Sequence, residues 1–374
     1  MKKKQIIAIL MAIVMLIGVA ACGDSGNETA DDSQEDAAVD TVDDADTDED
    51  VDADTDTDED AEAGEDTEAG GDWTIAVVPK DEANPWFVRM KEGVNQYAAD
   101  TGLDVFQRGP AETDAQQQIQ VVEDLIAQGV DALCVVPHDP GAMEPVLQKA
   151  MDAGIVVITH EAASQVNCDY NLEAFNYDEY GAFIMDTLAE AMGEEGKYIT
   201  MVGSFTNDSH NMEADSAIEH QKANYPNMEL IEEDFKVESE DNPEVAYQKA
   251  KEIIKKHPDL KGVVGTSSFD SPGVGRAIEE LGLIGQVFTA GTGMPQTNKA
   301  LLESGAVHAL TLWDPADAGY AMCELARMVL DGEEVGEGTD LGVDGYNNLE
   351  LDGKVLTGQA WITITKENVD DFNF

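Results

Sequence analysis

Aromatic and polar side chains follow several short apolar runs of the sequence, at places where a buried strand would end. Lys80 follows the run Thr74–Pro79, and Trp86 and Phe87 come a few residues later, after an Asn-Pro turn. A ligand with C–H faces and hydroxyl groups, such as a sugar, needs flat aromatic rings and hydrogen-bonding side chains. We therefore expect Trp86 and Phe87 to form a stacking wall, although either could be the first core residue of a helix. Lys80 is expected to donate to a hydroxyl or ring oxygen, its alternative being an ordinary surface lysine.

The later apolar runs are followed by further candidates for ligand contact. His160 and Glu161 come directly after one run. Trp313 and Asp314 come after another, at a point where the chain would cross between its two halves. A structural role is the alternative for His160, and packing in a hinge is the alternative for Trp313. The second half of the chain adds His210, Asn211, Thr266, Ser268, Asp270 and Thr292.

Several kinds of catalytic and cofactor chemistry are excluded by their missing motifs. The chain has no HExxH, no GxSxG and no GxxxxGK(S/T), and Gly291-Thr-Gly293 lacks the third glycine of a dinucleotide fingerprint. Beyond Cys22, the cysteines Cys134, Cys168 and Cys323 are odd in number and form no CxxC pair, so neither a disulfide framework nor a zinc site is indicated. We expect a binding protein that is not an enzyme and carries no cofactor or metal.

The elements that must position these side chains alternate between strand and helix. Strands rich in Val and Ile, without polar alternation, predict parallel sheets covered on both faces. The alternation occurs twice, over 73–177 and 178–312, and is followed by a helix over 316–330 and a last strand over 360–364. Ligands of open α/β sheets bind beyond the carboxyl ends of the strands, so two such lobes would face one cleft.

The chain from Trp73 to its C-terminus resembles the type I periplasmic sugar-binding proteins of ABC transporters, in the branch that binds ribose, rhamnose and autoinducer-2. The resemblance lies in the order and spacing of several stretches. These are Val77-Val-Pro-Lys80, Asn84-Pro-Trp-Phe-Val88, Asp131-Ala-Leu-Cys-Val-Val-Pro137, Gly154-Ile-Val-Val-Ile-Thr159, Gly291-Thr-Gly-Met-Pro-Gln296, Leu312-Trp-Asp314 and Ile364-Thr-Lys-Glu-Asn-Val369.

This resemblance implies two Rossmann-like lobes with parallel sheets, joined by a hinge of three crossovers. We expect 73–177 and 313–345 to form the N-terminal lobe, and 178–312 and 346–374 the C-terminal lobe. It also implies a monomer that captures a small neutral polyhydroxylated ligand and delivers it to a membrane permease. An autoinducer-2 receptor, or a component that presents ligand to a chemoreceptor or membrane kinase, is the alternative.

Site roles carried over from the resemblance favour a sugar over autoinducer-2. Glu161 matches an Asp of the ribose and autoinducer-2 branches and is expected to accept a hydrogen bond from a ligand hydroxyl. Of six positions matched to the autoinducer-2 branch, only Lys80 keeps its residue type. His210 and Asn211 replace Asp and Gln, and the hydroxyl residues at 266 and 268 replace Pro and Ala. A pentose or deoxyhexose therefore fits better.

The N-terminus resembles a bacterial lipoprotein signal peptide over residues 1–22. Lys2–Lys4 precede the apolar run Ile6–Val19, which is short for a membrane span, and small residues precede Cys22. We expect Cys22 to be lipidated, which would anchor the protein at the outer face of the cytoplasmic membrane. An ordinary secretory signal cut near Ala21 is the alternative.

The formal net charge of −57 over 374 residues is unevenly spread, with about two-fifths of it in 49 residues near the N-terminus. The stretch from Asp24 to Asp72 holds 24 acidic residues, no Lys or Arg and no aromatic residue, which predicts a disordered acidic tether over 23–72. Such a charge excludes nucleic-acid binding through a basic surface, and also attachment to an anionic membrane by surface charge.

Overall fold

A computed structural model describes residues 71–232 and 235–374. The predictions for residues 1–22 and 23–72, including the lipidation of Cys22, fall outside this range except for Gly71 and Asp72.

The described chain alternates between strands and helices from Thr74 onward. The strands are β1 (Thr74–Val78), β2 (Asp104–Gln107), β3 (Ala132–Val135), β4 (Val156–His160), β5 (Tyr170–Glu173), β6 (Gly196–Val202), β7 (Met228–Leu230), β8 (Lys236–Glu238), β9 (Leu260–Gly265), β10 (Phe288–Gly291), β11 (Ala309–Leu312), β12 (Glu350–Asp352), β13 (Val355–Thr357) and β14 (Ile362–Ile364). The helices are α1 (Pro85–Thr101), α2 (Ala115–Gln128), α3 (Pro140–Asp152), α4 (Tyr177–Met192), α5 (Asp208–Asn224), α6 (Pro243–Lys256), α7 (Asp270–Leu281), α8 (Pro295–Ser304) and α9 (Pro315–Leu330), with a final 3₁₀ turn over Val369–Asp371.

Within the described residues, the strands form two seven-stranded sheets. The first has the order β12-β13-β5-β4-β3-β1-β2, and the second has the order β14-β11-β10-β9-β6-β7, with β8 also paired to β6. All pairs are parallel except β12 with β13 and β11 with β14, which lie at one edge of each sheet. The predicted two-lobed α/β fold is confirmed, and its sheets are mixed rather than wholly parallel.

The part of the chain that the structure describes passes between the two sheets three times, at 174–176, 313–314 and 358–361. The expected boundary at 345/346 is wrong for β12 and β13, because both strands pair within the first sheet. Gly353, with φ of +63°, allows the tight turn between these two strands, and Val355–Thr357 extends the parallel ladder from β5. The chain therefore returns to the second lobe only at β14.

Local capping explains why three helices begin at the cleft. Asn84 accepts from the backbone N–H of Trp86, and Asn207 accepts from that of His210. Asp314 likewise caps α9. Asn and Asp are favoured at these positions because their side chains satisfy N–H groups that have no partner in the helix. Each cap also holds a candidate ligand contact at or next to the first turn of its helix.

Close approach of α1 and α9 completes the first lobe. A Cβ on Gly93 would lie 1.8 Å from the carbonyl oxygen of Ala316, so only glycine allows the two helices to pack at this distance. Ile75 and Val77 face them from β1 and are fully buried. In the part of the chain that the structure describes, no helix is long and apolar enough to cross a membrane.

Candidate ligand-binding site

A cavity lies where the carboxyl ends of strands from both sheets meet. Nine of the predicted site residues line it: Lys80, Trp86, Phe87, Glu161, His210, Thr266, Ser268, Thr292 and Trp313. The remaining wall is formed by Asp81, Asn84, Thr113 and Asp241.

Lys80 and Glu161 form a buried ion pair in the wall of the first lobe. The Lys80 Nζ lies 2.6 Å from the Glu161 Oε2, and the two side chains are only 5% and 4% exposed. Burial alone would raise the pKa of Glu161, but the adjacent Lys80 ammonium, together with His160 and His210, outweighs burial and holds this pKa below its ordinary value. The pKa of Lys80 is raised because Glu161 and Asp241 together outweigh its desolvation. Both groups are therefore charged, and the ammonium has further N–H donors for a ligand.

Glu161 stands in a left-handed backbone conformation with φ of +56°. Such a conformation is unfavourable for a residue with a side chain, and strain of this kind is concentrated at functional sites. The left-handed conformation of Glu161 turns the chain away from β4 at the point where its carboxylate forms the ion pair with Lys80.

His160, the preceding residue, is fully buried and does not line the cavity. Its Nδ1 is 2.6 Å from the carbonyl oxygen of Leu172, and its Nε2 accepts from Trp313 Nε1 at 3.3 Å. Burial lowers the pKa of His160, so the ring is neutral and connects β4 to the second crossover. The structure thus places His160 behind the site.

Aromatic rings from the first lobe and from the crossovers surround one side of the cavity. The rings of Trp86 and Trp313 meet edge to face, with centroids 4.6 Å apart. Trp313 also contacts Phe175 of the first crossover, with centroids 5.0 Å apart, and Phe175 contacts Trp361 of the third. Trp313 therefore lines the cavity and packs in the hinge, so both interpretations of this residue describe its position.

His210 contributes a neutral imidazole from the start of α5. Its Nδ1 accepts from the backbone N–H of Gly203 at 3.2 Å. Burial, followed by the nearby Lys80 ammonium, lowers the pKa of His210 to about 4. With Nδ1 accepting, the neutral ring carries its proton on Nε2, so it can donate one hydrogen bond.

Three of the predicted site residues support the wall without lining it. Asp270 is fully buried, and its Oδ2 accepts from the backbone N–H groups of Thr266 and Ser267, which holds their loop in place. Burial raises the pKa of Asp270 to about 7. Asn211 donates to the carbonyl oxygens of residues 204 and 207, within its own turn. Asp314 caps α9 and binds Arg89 through both carboxylate oxygens.

Four lining residues are absent from the set predicted from the sequence, namely Asp81, Asn84, Thr113 and Asp241. Asp81 Oδ1 accepts from the backbone N–H of Asn84, and its Oδ2 accepts from Thr113 Oγ1, so these three residues stabilise the turn before α1. The Asn-Pro pair at 84–85 was a signal for this turn. Asp241 had no such signal, because β7 and β8 have only three residues each and its loop follows the second of them.

The two lobes are in contact on several sides of the cavity. The backbone N–H of Ser164 donates to Asp208 at 2.9 Å, and Asn84 Nδ2 lies 3.5 Å from Ser268 Oγ. Arg89 of the first lobe lies over the ring of Phe374, at 4.6 Å from its centroid. The structure therefore shows the lobes in a closed arrangement. Among residues 71–232 and 235–374, no group of three or more His, Cys, Asp or Glu side chains is placed to hold a metal ion.

Two mixed α/β lobes that enclose a cavity at the carboxyl ends of their strands define a solute-binding protein. The chain belongs to the periplasmic binding protein family, whose "Periplasmic binding protein domain" matches residues 75–334. It is 27% identical over 244 residues to the D-ribose/D-allose-binding protein of Pseudomonas aeruginosa, covering 62% of this chain and 74% of that protein.

Two solved structures share its fold. LsrB from Clostridium saccharobutylicum, in complex with AI-2, superposes with a TM-score of 0.74 at 22% identity, over 80% of this chain and all of LsrB. An ABC transporter solute-binding protein from Clostridium phytofermentas, with bound L-rhamnose, has a TM-score of 0.73 at 18% identity, over 81% of this chain and 98% of that one.

Proposed function

We propose that this protein is an extracytoplasmic lipoprotein that captures a monosaccharide between its lobes and delivers it to an ABC importer. The observation that supports this most directly is the cavity, where aromatic rings and hydrogen-bonding side chains from both lobes converge. Its wall includes the rings of Trp86 and Phe87, the Lys80 ammonium and the His210 imidazole.

Ligand capture would work by closure of the hinge. In an open state, each lobe would expose only its own part of the wall, and a ligand would form the full set of contacts only after the lobes meet. A ligand that binds the closed state better shifts the population toward it, and the shift is limited by this difference in affinity. The importer would then recognise the closed form.

A neutral pentose or deoxyhexose is the ligand class that we favour. The charges of Lys80 and Glu161 compensate each other, and His210 is neutral, so most of the wall has no need for a charged ligand. Relatives and structural neighbours are named for D-ribose, D-allose and L-rhamnose. The neighbour that binds AI-2 makes this compound the second candidate.

A thermal-shift screen tests the proposal. The protein would be heated with D-ribose, D-allose, L-rhamnose, D-arabinose or autoinducer-2. A ligand present at about 1,000 times its Kd stabilises a folded protein by about 4 kcal/mol. This corresponds to a rise of about 8 °C in Tm for a domain of this size. If no sugar and no autoinducer-2 raises the Tm, the proposal fails.

A matched pair of variants connects such a shift to the cavity. Trp86→Ala removes a ring that lines the cavity, and should abolish the sugar-dependent shift. Phe205→Ala removes an exposed ring outside the cavity, and should leave the shift unchanged. Equal responses from both variants would contradict the location of the site.

A further inference from the structure

Asp241, in the loop after β8, presents a carboxylate oxygen that has no partner among the described residues. Its side chain is 8% exposed and lines the cavity. Oδ1 accepts a hydrogen bond from Ser267 Oγ at 2.7 Å, whereas Oδ2 is buried and accepts none. A buried carboxylate oxygen without a hydrogen bond is strongly unfavourable, so the site is incomplete until a donor reaches Oδ2.

Three features of the fold hold this carboxylate in place. Asp241 has φ of +46°, a left-handed conformation that is rare for a residue with a side chain. Its backbone N–H donates to the carbonyl oxygen of Gly203. A Cβ on Gly203 would lie 2.0 Å from Asp241 Oδ1, so the glycine leaves space for the carboxylate. Together with the Ser267 hydrogen bond, these features fix the direction of Oδ2.

The neighbouring groups keep Asp241 ionised without satisfying Oδ2. Burial alone would raise the pKa of Asp241, but His210, Lys80, Ser267 and His138 lower it below its ordinary value. His138 Nδ1, from the first lobe, is 3.8 Å away from Oδ2, beyond hydrogen-bond distance. An ionised carboxylate can only accept hydrogen bonds.

A second unpartnered group belongs to the opposite lobe. The ring of Trp86 lines the cavity, and its Nε1–H is buried without an acceptor among the described residues. An indole N–H can only donate. The cavity therefore combines an acceptor from one lobe with a donor from the other, and a hydroxyl group can satisfy both kinds of group.

We propose that Asp241 is a specificity-determining residue, whose Oδ2 accepts a hydrogen bond from a ligand hydroxyl while Trp86 Nε1 donates to the same or an adjacent hydroxyl. The ligand hydroxyls would thus connect the two lobes. This inference rests on the proposed function and deepens it, since it selects polyhydroxylated ligands against analogues in which one hydroxyl is missing.

The first test compares Asp241→Asn with wild type by isothermal titration calorimetry. The full chain would be purified in detergent and titrated with whichever of D-ribose, D-allose, L-rhamnose and D-arabinose stabilises it most. Asn keeps an oxygen for Ser267 and replaces the other acceptor with an amide. Hydrogen bonds to charged groups are strong enough that we expect Kd to rise about 10- to 100-fold. Asp104→Asn, on the exposed side of β2 and outside the cavity, is the matched control and should bind as wild type.

Monodeoxy derivatives of the same sugar identify the hydroxyl concerned. Wild type should bind one derivative about 10- to 100-fold more weakly than the parent sugar, and Asp241→Asn should bind the two with nearly equal affinity. If Asp241→Asn is poorly folded by circular dichroism, Ser267→Ala serves instead. It removes the hydrogen bond that Ser267 Oγ donates to Asp241 Oδ1, so the carboxylate is no longer held in place, and it should raise Kd by about 3- to 10-fold.

The outcomes separate this inference from the proposed function. If wild type binds a sugar and Asp241→Asn binds it within twofold, the role of Asp241 is overturned and the proposed function stands. If neither any of the four sugars nor autoinducer-2 binds to wild type, the proposed function fails and this inference fails with it.

Discussion

Replacing Glu161 by Gln should destabilise the folded protein because it leaves Lys80 buried without its counter-ion. The two side chains are only about 5% exposed, and their charged atoms are 2.6 Å apart. Removing one partner of a buried ion pair typically costs about 3–5 kcal/mol. For a domain of this size, this corresponds to a Tm decrease of about 6–10 °C. Urea unfolding followed by circular dichroism measures the loss directly.

Two further variants distinguish the ion pair from an effect of the side chain alone. Lys80→Met combined with Glu161→Gln removes both charges and should recover most of the lost stability, while sugar binding stays impaired. Glu123→Gln removes one partner of the exposed Lys149–Glu123 pair and should change the free energy of unfolding by less than about 1 kcal/mol.

The effect should also depend on pH, with a sign that follows from the pKa of Glu161. This pKa is below its ordinary value of 4.5 in the folded protein. The stability from the pair is therefore present above pH 4.5 and is lost as the pH falls through the folded pKa. The gap between wild type and Glu161→Gln should close in acid. A variant within 1 kcal/mol of wild type at pH 7, or a double variant as unstable as the single one, would refute the reasoning.

Substitutions at three other residues test other parts of the site and its supports. His210→Gln should flatten the pH dependence of stability between pH 4 and 6.5. Burial and Lys80 lower the pKa of His210 to about 4, so between pH 4 and 6.5 the folded protein binds fewer protons than the unfolded chain. Wild-type stability therefore rises with pH in this window, by up to about 3 kcal/mol. If the histidine were exposed, urea unfolding would show the same dependence of stability on pH for the variant and for wild type. Asp314→Ala loses both the cap of α9 and the bidentate contact to Arg89, so it should unfold about 2 kcal/mol more easily than wild type, whereas Asp314→Asn keeps the cap and should lose about 1 kcal/mol or less. Equal losses in chemical denaturation would argue against the cap. Gly203→Ala places a Cβ 2.0 Å from the Asp241 carboxylate oxygen, so the carboxylate must move. We expect sugar binding measured by calorimetry to weaken at least about tenfold. Unchanged affinity would show that the contact can relax.

The sequence predicted most of the parallel strands and the helices between them, because their signals are local. Apolar runs such as Ala132–Val135 mark buried strands, and Asn or Asp before a helix marks its start. The same local patterns placed Lys80 and Glu161 at strand ends. Parallel strands bring their carboxyl ends to one edge of a sheet, so these residues could be proposed as neighbours without knowledge of the packing.

The errors occur where local pattern carries little information. Strands β12 and β13 have three residues each, too short to show a period, and their membership of the first sheet depends on pairing with β5. His160 has the residue type and position of a ligand contact. It lies outside the cavity because its two ring nitrogens form hydrogen bonds with Leu172 and Trp313 instead.

By itself, the sequence determined two α/β lobes and the strand ends at which a ligand would be bound. Only the tertiary structure decided which side chains at those ends face the cavity. Asp241 is the clearest case, because its position depends on space left by Gly203 and on a hydrogen bond from Ser267. These three residues lie in separate loops that follow β6, β8 and β9, and contacts between these loops exist only once the second sheet has formed.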